Sequence, residues 1–229
     1  MSKPALEGFV ADGFRALRTS PTVDVPPSLR LKIYDGLVGS NAISQAVSGR
    51  LWKVDFSGGD CVRYRRLVLA AARRVLPVWD TFFSAPSPDA EDWRRFPHAM
   101  VEAAEQMASG ARQLSMLDEV DPWTAIGALP YVVNYNASEV ALAAYGALSA
   151  VNGSVPFHSL PLGIDLDGAI DLELDMHSGN MDVAWHAAQA FSAIDHDPVG
   201  EEQRTKIGYD REKRFAFWEW WLAQVAAVA

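Results

Sequence analysis

Five carboxylates alternate with apolar residues in the run Asp165-Leu-Asp167-Gly-Ala-Ile-Asp171-Leu-Glu173-Leu-Asp175. Such a run can hold a cation, perform acid–base chemistry or face a basic partner. A calcium loop of the EF-hand type needs oxygen ligands at positions 1, 3 and 5, Gly at 6 and Glu at 12. Counted from Asp165, those last three places hold Ala169, Ile170 and Met176, so the pattern is not met. No spacing fixes two carboxylates for glycoside or phosphate chemistry. The wet face of a small hairpin, or a solvated acidic loop, accounts for the run, and presentation to a partner is its functional reading.

The histidines are the next candidates. Four of the five, His158, His177, His186 and His196, fall in the C-terminal half. Asp182 and His186 stand four apart on an expected helix, within reach of one another or of a shared metal ion. His196-Asp197 is the dipeptide that names the HD phosphohydrolases, helical enzymes that bind metal through scattered His and Asp. A metal-dependent helical hydrolase using His177, Asp182, His186, His196 and Asp197 is therefore the alternative function. Ordinary capping and core roles explain the same residues, and no metal or other cofactor is expected.

Arg63, Arg66, Arg73 and Arg74 share one side of an expected helix, with Tyr64, Leu67, Val68, Ala71 and Val75 on the other. A solvated face, or a match for acidic residues elsewhere in the chain, accounts for this stripe. Nucleic acid does not fit, because the stripe has no interleaved aromatics and the pI is about 5.0. Cys61 is the only cysteine, which excludes an internal disulfide and a multi-cysteine metal site. The phosphate-binding glycine motifs and the Gly-x-Ser-x-Gly elbow do not occur.

These residues need elements to carry them, and the spacing predicts helices nearly throughout. Leu6, Phe9, Val10, Phe14 and Leu17 recur at helical intervals. Pro26-Pro27 opens a second helix with Leu29, Ile33 and Leu37 on one side. An apolar segment runs from Ile43 to Trp52. A long helix is expected from Cys61 to Phe83, capped by Asp60 and kinked at Pro77. Ser87-Pro88, Pro97 and Asp121-Pro122 mark further starts. Residues 139–151 are apolar almost all round, as befits a central helix. Asn180 is placed to cap a helix over Met181–Ile194, and the last helical region runs from Asp197-Pro198 to Val228. One small hairpin near 160–175 is the only β-structure expected.

In the last helix Phe215, Trp218, Leu222 and Val225 form one face, widened by Phe217 and Trp221. This face is expected in the core, packed on the 139–151 helix. Trp220 falls outside it, on the side of Lys213. That makes Trp220 a candidate anchor for a partner, since Trp is favoured at interface hot spots.

Arg211-Glu-Lys-Arg-Phe-Ala-Phe-Trp-Glu-Trp-Trp-Leu222, preceded by Asp182-Val-Ala-Trp185-His-Ala-Ala-Gln-Ala190, resembles the C-terminal pattern of the "immunity protein five" family. Those are small helical proteins of bacterial polymorphic toxin systems, encoded beside a toxin. The resemblance implies a protein that neutralises a cognate toxin by binding it and has no catalytic role.

Charge agrees with that reading. Of the 229 residues, 1–115 carry 15 Lys/Arg against 12 Asp/Glu, and 116–229 carry 5 against 17. Between Arg112 and Arg204 lie 91 residues with 14 carboxylates and no Lys or Arg. Such a segment repels phosphates, which makes it a poor surface for nucleic acid or anionic lipid, and neither is an expected partner. It suits a basic protein, a metal ion or plain solvation, and Asp165, Asp167, Asp171, Glu173, Asp175 and Trp220 are the candidate partner-binding residues. No apolar run reaches the roughly 18 residues of a spanning helix. The start, Met1-Ser2-Lys3-Pro4, has no signal-peptide core. The sequence expectation is thus a cytoplasmic all-α protein, a multi-helix bundle or helical array. It forms one domain over 1–229, with 115–121 as the place where it would subdivide. A helical scaffold without a toxin partner is the plainest alternative.

Overall fold

A computed structural model describes residues 3–38, 43–45, 52–54, 61–82, 94–110, 134–152, 156–157, 182–194 and 208–228. Among these the fold is all-α, as the periodicity implies. Seven helices follow one another: α1 (Lys3–Thr19), α2 (Pro27–Val38), α3 (Val62–Phe82), α4 (Phe96–Ala108), α5 (Tyr135–Asn152), α6 (Val183–Ser192) and α7 (Arg211–Val228). Three short strands, β1 (Ile43–Gln45), β2 (Trp52–Val54) and β3 (Pro156–Phe157), pair antiparallel in that order. Ile43 pairs with Val54 and Trp52 with Phe157. The apolar segment from Ile43 to Trp52 thus begins and ends in strands. The hairpin expected at 160–175 lies outside the described residues.

Local chemistry explains where most helices begin. Pro27 sits at the start of α2, where its missing N–H costs nothing. Pro97 does the same in the first turn of α4. Asn134 caps α5, its Oδ1 accepting from Ala137 N at 2.9 Å. Asp210 caps α7, accepting from the N–H groups of Glu212 and Lys213 at 2.9 and 3.0 Å. The cap of α6 is Asp182 and not Asn180, because the Asp182 carboxylate accepts from Trp185 N. Asp60 and the starts at Ser87-Pro88 and Asp121-Pro122 lie outside the described residues, as does Asp197-Pro198. In α3, Pro77 is accommodated inside a helix that runs on to Phe82.

One hydrophobic cluster takes residues from all seven helices and from both sides of 115–121. Helix α5 lies at its centre, flanked by α3, α4 and α6. It reads Ala-rich because helices close in on several sides: Ala137, Ala141, Ala144 and Ala147 are fully buried. The last helix behaves differently from expectation. Trp218 and Leu222 are fully buried, but α7 packs on α1, α3 and α6 and not chiefly on α5. Helix α6, which touches both α5 and α7, takes the place between them. The buried face of α7 is also rotated. It comprises Arg214, Phe217, Trp218, Trp221, Leu222 and Val225, while Phe215 is only partly buried.

Candidate functional site

Where α2, α6 and α7 meet the turn between α1 and α2, two ion pairs are buried. Arg214 clamps Asp24 with two parallel bonds, Nε to Oδ1 at 2.8 Å and Nη2 to Oδ2 at 2.9 Å. Trp218 Nε1 donates to the same Asp24 Oδ1 at 2.7 Å. Arg30 Nε donates to Asp182 Oδ2 at 2.7 Å, and Tyr34 donates its hydroxyl to Asp182 Oδ1 at 2.9 Å. The Trp218 ring links the two pairs, lying 5.3 Å from the Arg30 guanidinium carbon. Tyr34 stands edge-on to both Tyr64 and Trp221.

Helical spacing places both arginines. Arg30, Ile33, Tyr34 and Leu37 fall at i, i+3, i+4 and i+7 on α2. Arg214, Phe217, Trp218 and Trp221 repeat that spacing on α7. Each arginine therefore begins a buried stripe, and each must find a carboxylate to be there at all. Arg214 also donates to Gln189 at 3.0 Å and to the Ser192 hydroxyl at 3.3 Å. Arg30 donates to the Val25 carbonyl as well.

The electrostatics of the Asp182 site follow from this packing. Burial pushes the Asp182 carboxyl up, but the Arg30 charge and the bonds from Tyr34, Arg30 and Trp185 N outweigh it. The net result lies below the usual carboxylate value. Burial, with the Asp182 charge beside it, raises the Tyr34 phenol well above its ordinary value. The Tyr64 phenol moves the same way, again chiefly by burial. Two cations and two carboxylates share the cluster, so its formal charge is zero.

A third buried pair lies between α5 and α6. His186 Nδ1 and Glu139 Oε2 are 2.6 Å apart. Asp182 and His186 therefore do not face a common ligand: Asp182 turns to α2 and His186 to α5. Among the described residues no three His, Cys, Asp or Glu side chains gather to hold a metal ion. His158, His177, His196 and Asp197 lie outside those residues. Cys61 is buried at the start of α3.

The candidate partner-binding carboxylates Asp165, Asp167, Asp171, Glu173 and Asp175 also lie outside the described residues. Trp220 is half-buried: it packs beside Phe217 with ring centres 5.6 Å apart, and Arg74 lies over its face at 4.4 Å. Arg74 covers Phe191 as well, at 5.2 Å. The arginine stripe of α3 is thus partly spent inside the molecule, on aromatics of the C-terminal half and, through Arg73, on Glu105 at 2.6 Å.

Sequence reasoning missed Asp24, Arg30, Tyr34, Glu139 and Arg214 as a group. The two arginines at the head of apolar i, i+3, i+4, i+7 stripes were the available signal. Asp24, between Val23 and Val25, was the other. No family model matches the chain, and no curated protein matches it. Among the described residues no helix is long and apolar enough to cross a membrane.

Proposed function

We propose that this chain is an immunity-type binding protein that neutralises a basic bacterial toxin by covering it. The observation that carries the reading is the 91-residue segment between Arg112 and Arg204, with 14 carboxylates and no Lys or Arg. Two of those carboxylates, Glu139 and Asp182, are used internally on His186 and Arg30. The other twelve, Asp165, Asp167, Asp171, Glu173 and Asp175 among them, supply the field that draws in a cationic partner. Many nuclease toxins are basic because they bind phosphate, and an acidic inhibitor competes for the same surface. The likeness of Arg211–Leu222 to the immunity pattern supports the same reading.

Electrostatic steering acts on the association rate more than on dissociation, and salt screens it over about 8–10 Å at physiological ionic strength. The test is binding kinetics against the toxin encoded beside this gene, at low and high salt. The parent is compared with an Asp165/Asp167/Asp171→Asn variant. The on-rate should fall with salt and with neutralisation, while the off-rate changes little. An on-rate indifferent to both removes the steering, and no binding to that toxin removes the function.

A further inference from the structure

Val23, Asp24 and Val25 are three consecutive residues with buried side chains. An extended segment buries consecutive side chains only where both of its sides are covered. Here the backbone instead turns sharply at Val23, whose φ is +57°. The left-handed region is strained for a β-branched residue, and such strain persists only where the surroundings enforce it. Here α7 does the enforcing. Arg214 and Trp218 hold the Asp24 carboxylate, and Arg211 donates to the Pro21 carbonyl. The turn in question joins α1 to the rest of the molecule. Helix α1 packs on α7 and α2, and a Cβ added at Gly13 would lie 2.6 Å from Leu222 Cδ2. So α1 lies tight over the aromatic helix, on a strained hinge fastened to α7 through the Asp24 carboxylate and the Pro21 carbonyl.

We infer that residues 3–25 form a sprung strap over α7, latched by Asp24, which opens as a unit when the Asp24 bonds are lost while α3–α6 stay packed. Opening relaxes Val23 and uncovers the Leu222 side of α7. This inference does not depend on the proposed function.

Trypsin reads the opening, because Arg15 and Arg18 lie on exposed parts of α1 while Arg66 and Arg73 are exposed on α3. In an Asp24→Asn variant, cleavage after Arg15 and Arg18 should speed up at least tenfold relative to the parent, with cleavage after Arg66 and Arg73 unchanged. Parental rates at Arg18, or equal acceleration at all four sites, would overturn the strap. A second pair of variants tests the spring without touching the latch. Val23→Gly and Val23→Ala both remove the two γ-methyl groups, and glycine the Cβ too, but only glycine escapes the left-handed penalty. The glycine variant should be cut after Arg18 several-fold more slowly than the alanine variant. The opposite order would show that Val23 carries no strain.

Discussion

Asp24 and Asp182 look like the same device used twice. Each is a buried aspartate from one half of the chain, paired with an arginine from the other half at the head of an i, i+3, i+4, i+7 stripe. Their surroundings differ. Asp182 caps α6, so its carboxylate serves both a helix N-terminus and the Arg30 charge, and α6 is packed against α3, α5 and α7. Asp24 belongs to a turn on the rim, next to a strained residue, with bonds to α7 alone. One pair is built into the centre, and the other fastens an edge. Buried ion pairs add little net stability over apolar packing, yet breaking one leaves a costly lone charge.

The largest expected effects fall on the residues the two pairs share or cannot replace. Trp218→Ala removes a core ring, one of the donors to Asp24 and the surface under Arg30. Urea denaturation should show a loss of roughly 3–5 kcal/mol, the range for large aromatic truncations. Asp182→Ala strands Arg30 and uncaps α6, and should cost about 3–5 kcal/mol by the same measurement. A loss under about 1 kcal/mol in either would contradict the packing described.

The pH dependence sharpens the contrast. The folded-state value of Asp182 is depressed, so its contribution is present above the unfolded value of 3.8 and is lost as pH falls below it. Stability measured against pH should drop through that range in the parent and more shallowly in Asp182→Asn. At the other end Tyr34 and Tyr64 have raised values, so the folded state keeps protons that the unfolded chain releases. Stability should therefore fall as pH rises above 10.

Smaller effects belong to the edge. Gly13→Ala pushes a methyl group at Leu222, and overpacking of this kind costs typically about 1–3 kcal/mol. It should act through α1, lowering stability without changing the far-UV signature of the other helices. Arg74→Ala removes a cation over Trp220 and Phe191, worth about 0.5–1 kcal/mol at a partly exposed site. Thermal melting of that variant should move by only a few degrees, with a change in Trp fluorescence.

Much of the architecture was legible because helices advertise themselves by period and punctuation. Leu6, Val10 and Leu17, or Tyr64, Leu67, Ala71 and Val75, announce their faces. Pro27 and Pro97 announce starts. The partner of α7 was not legible, since one apolar stripe fits any other. What placed α6 between α5 and α7 is tertiary: Asp182 and His186 sit one turn apart and reach different helices. The buried arginines escape a local reading for a related reason. Arg214 stands in the charged lead-in Asp210-Arg-Glu-Lys-Arg, yet its spacing to Phe217, Trp218 and Trp221 puts it on the inner face. The match that makes this tolerable, Asp24, lies 190 residues away. Local pattern carries no information about such a pairing.

The contrast between the two aspartates is most directly tested by native-state amide exchange on the parent protein. The reporters are already in place. Trp185 N–H bonds to the Asp182 side chain and His186 N–H to its carbonyl. Val23 N–H bonds to the Ser20 carbonyl in the strap turn. At low denaturant Val23 and the amides of α1 should exchange together, through an opening at least tenfold more populated than the one that exposes Trp185 and His186. Equal protection of the two groups, with one shared dependence on denaturant, would contradict the account, since edge and centre would then open only as one.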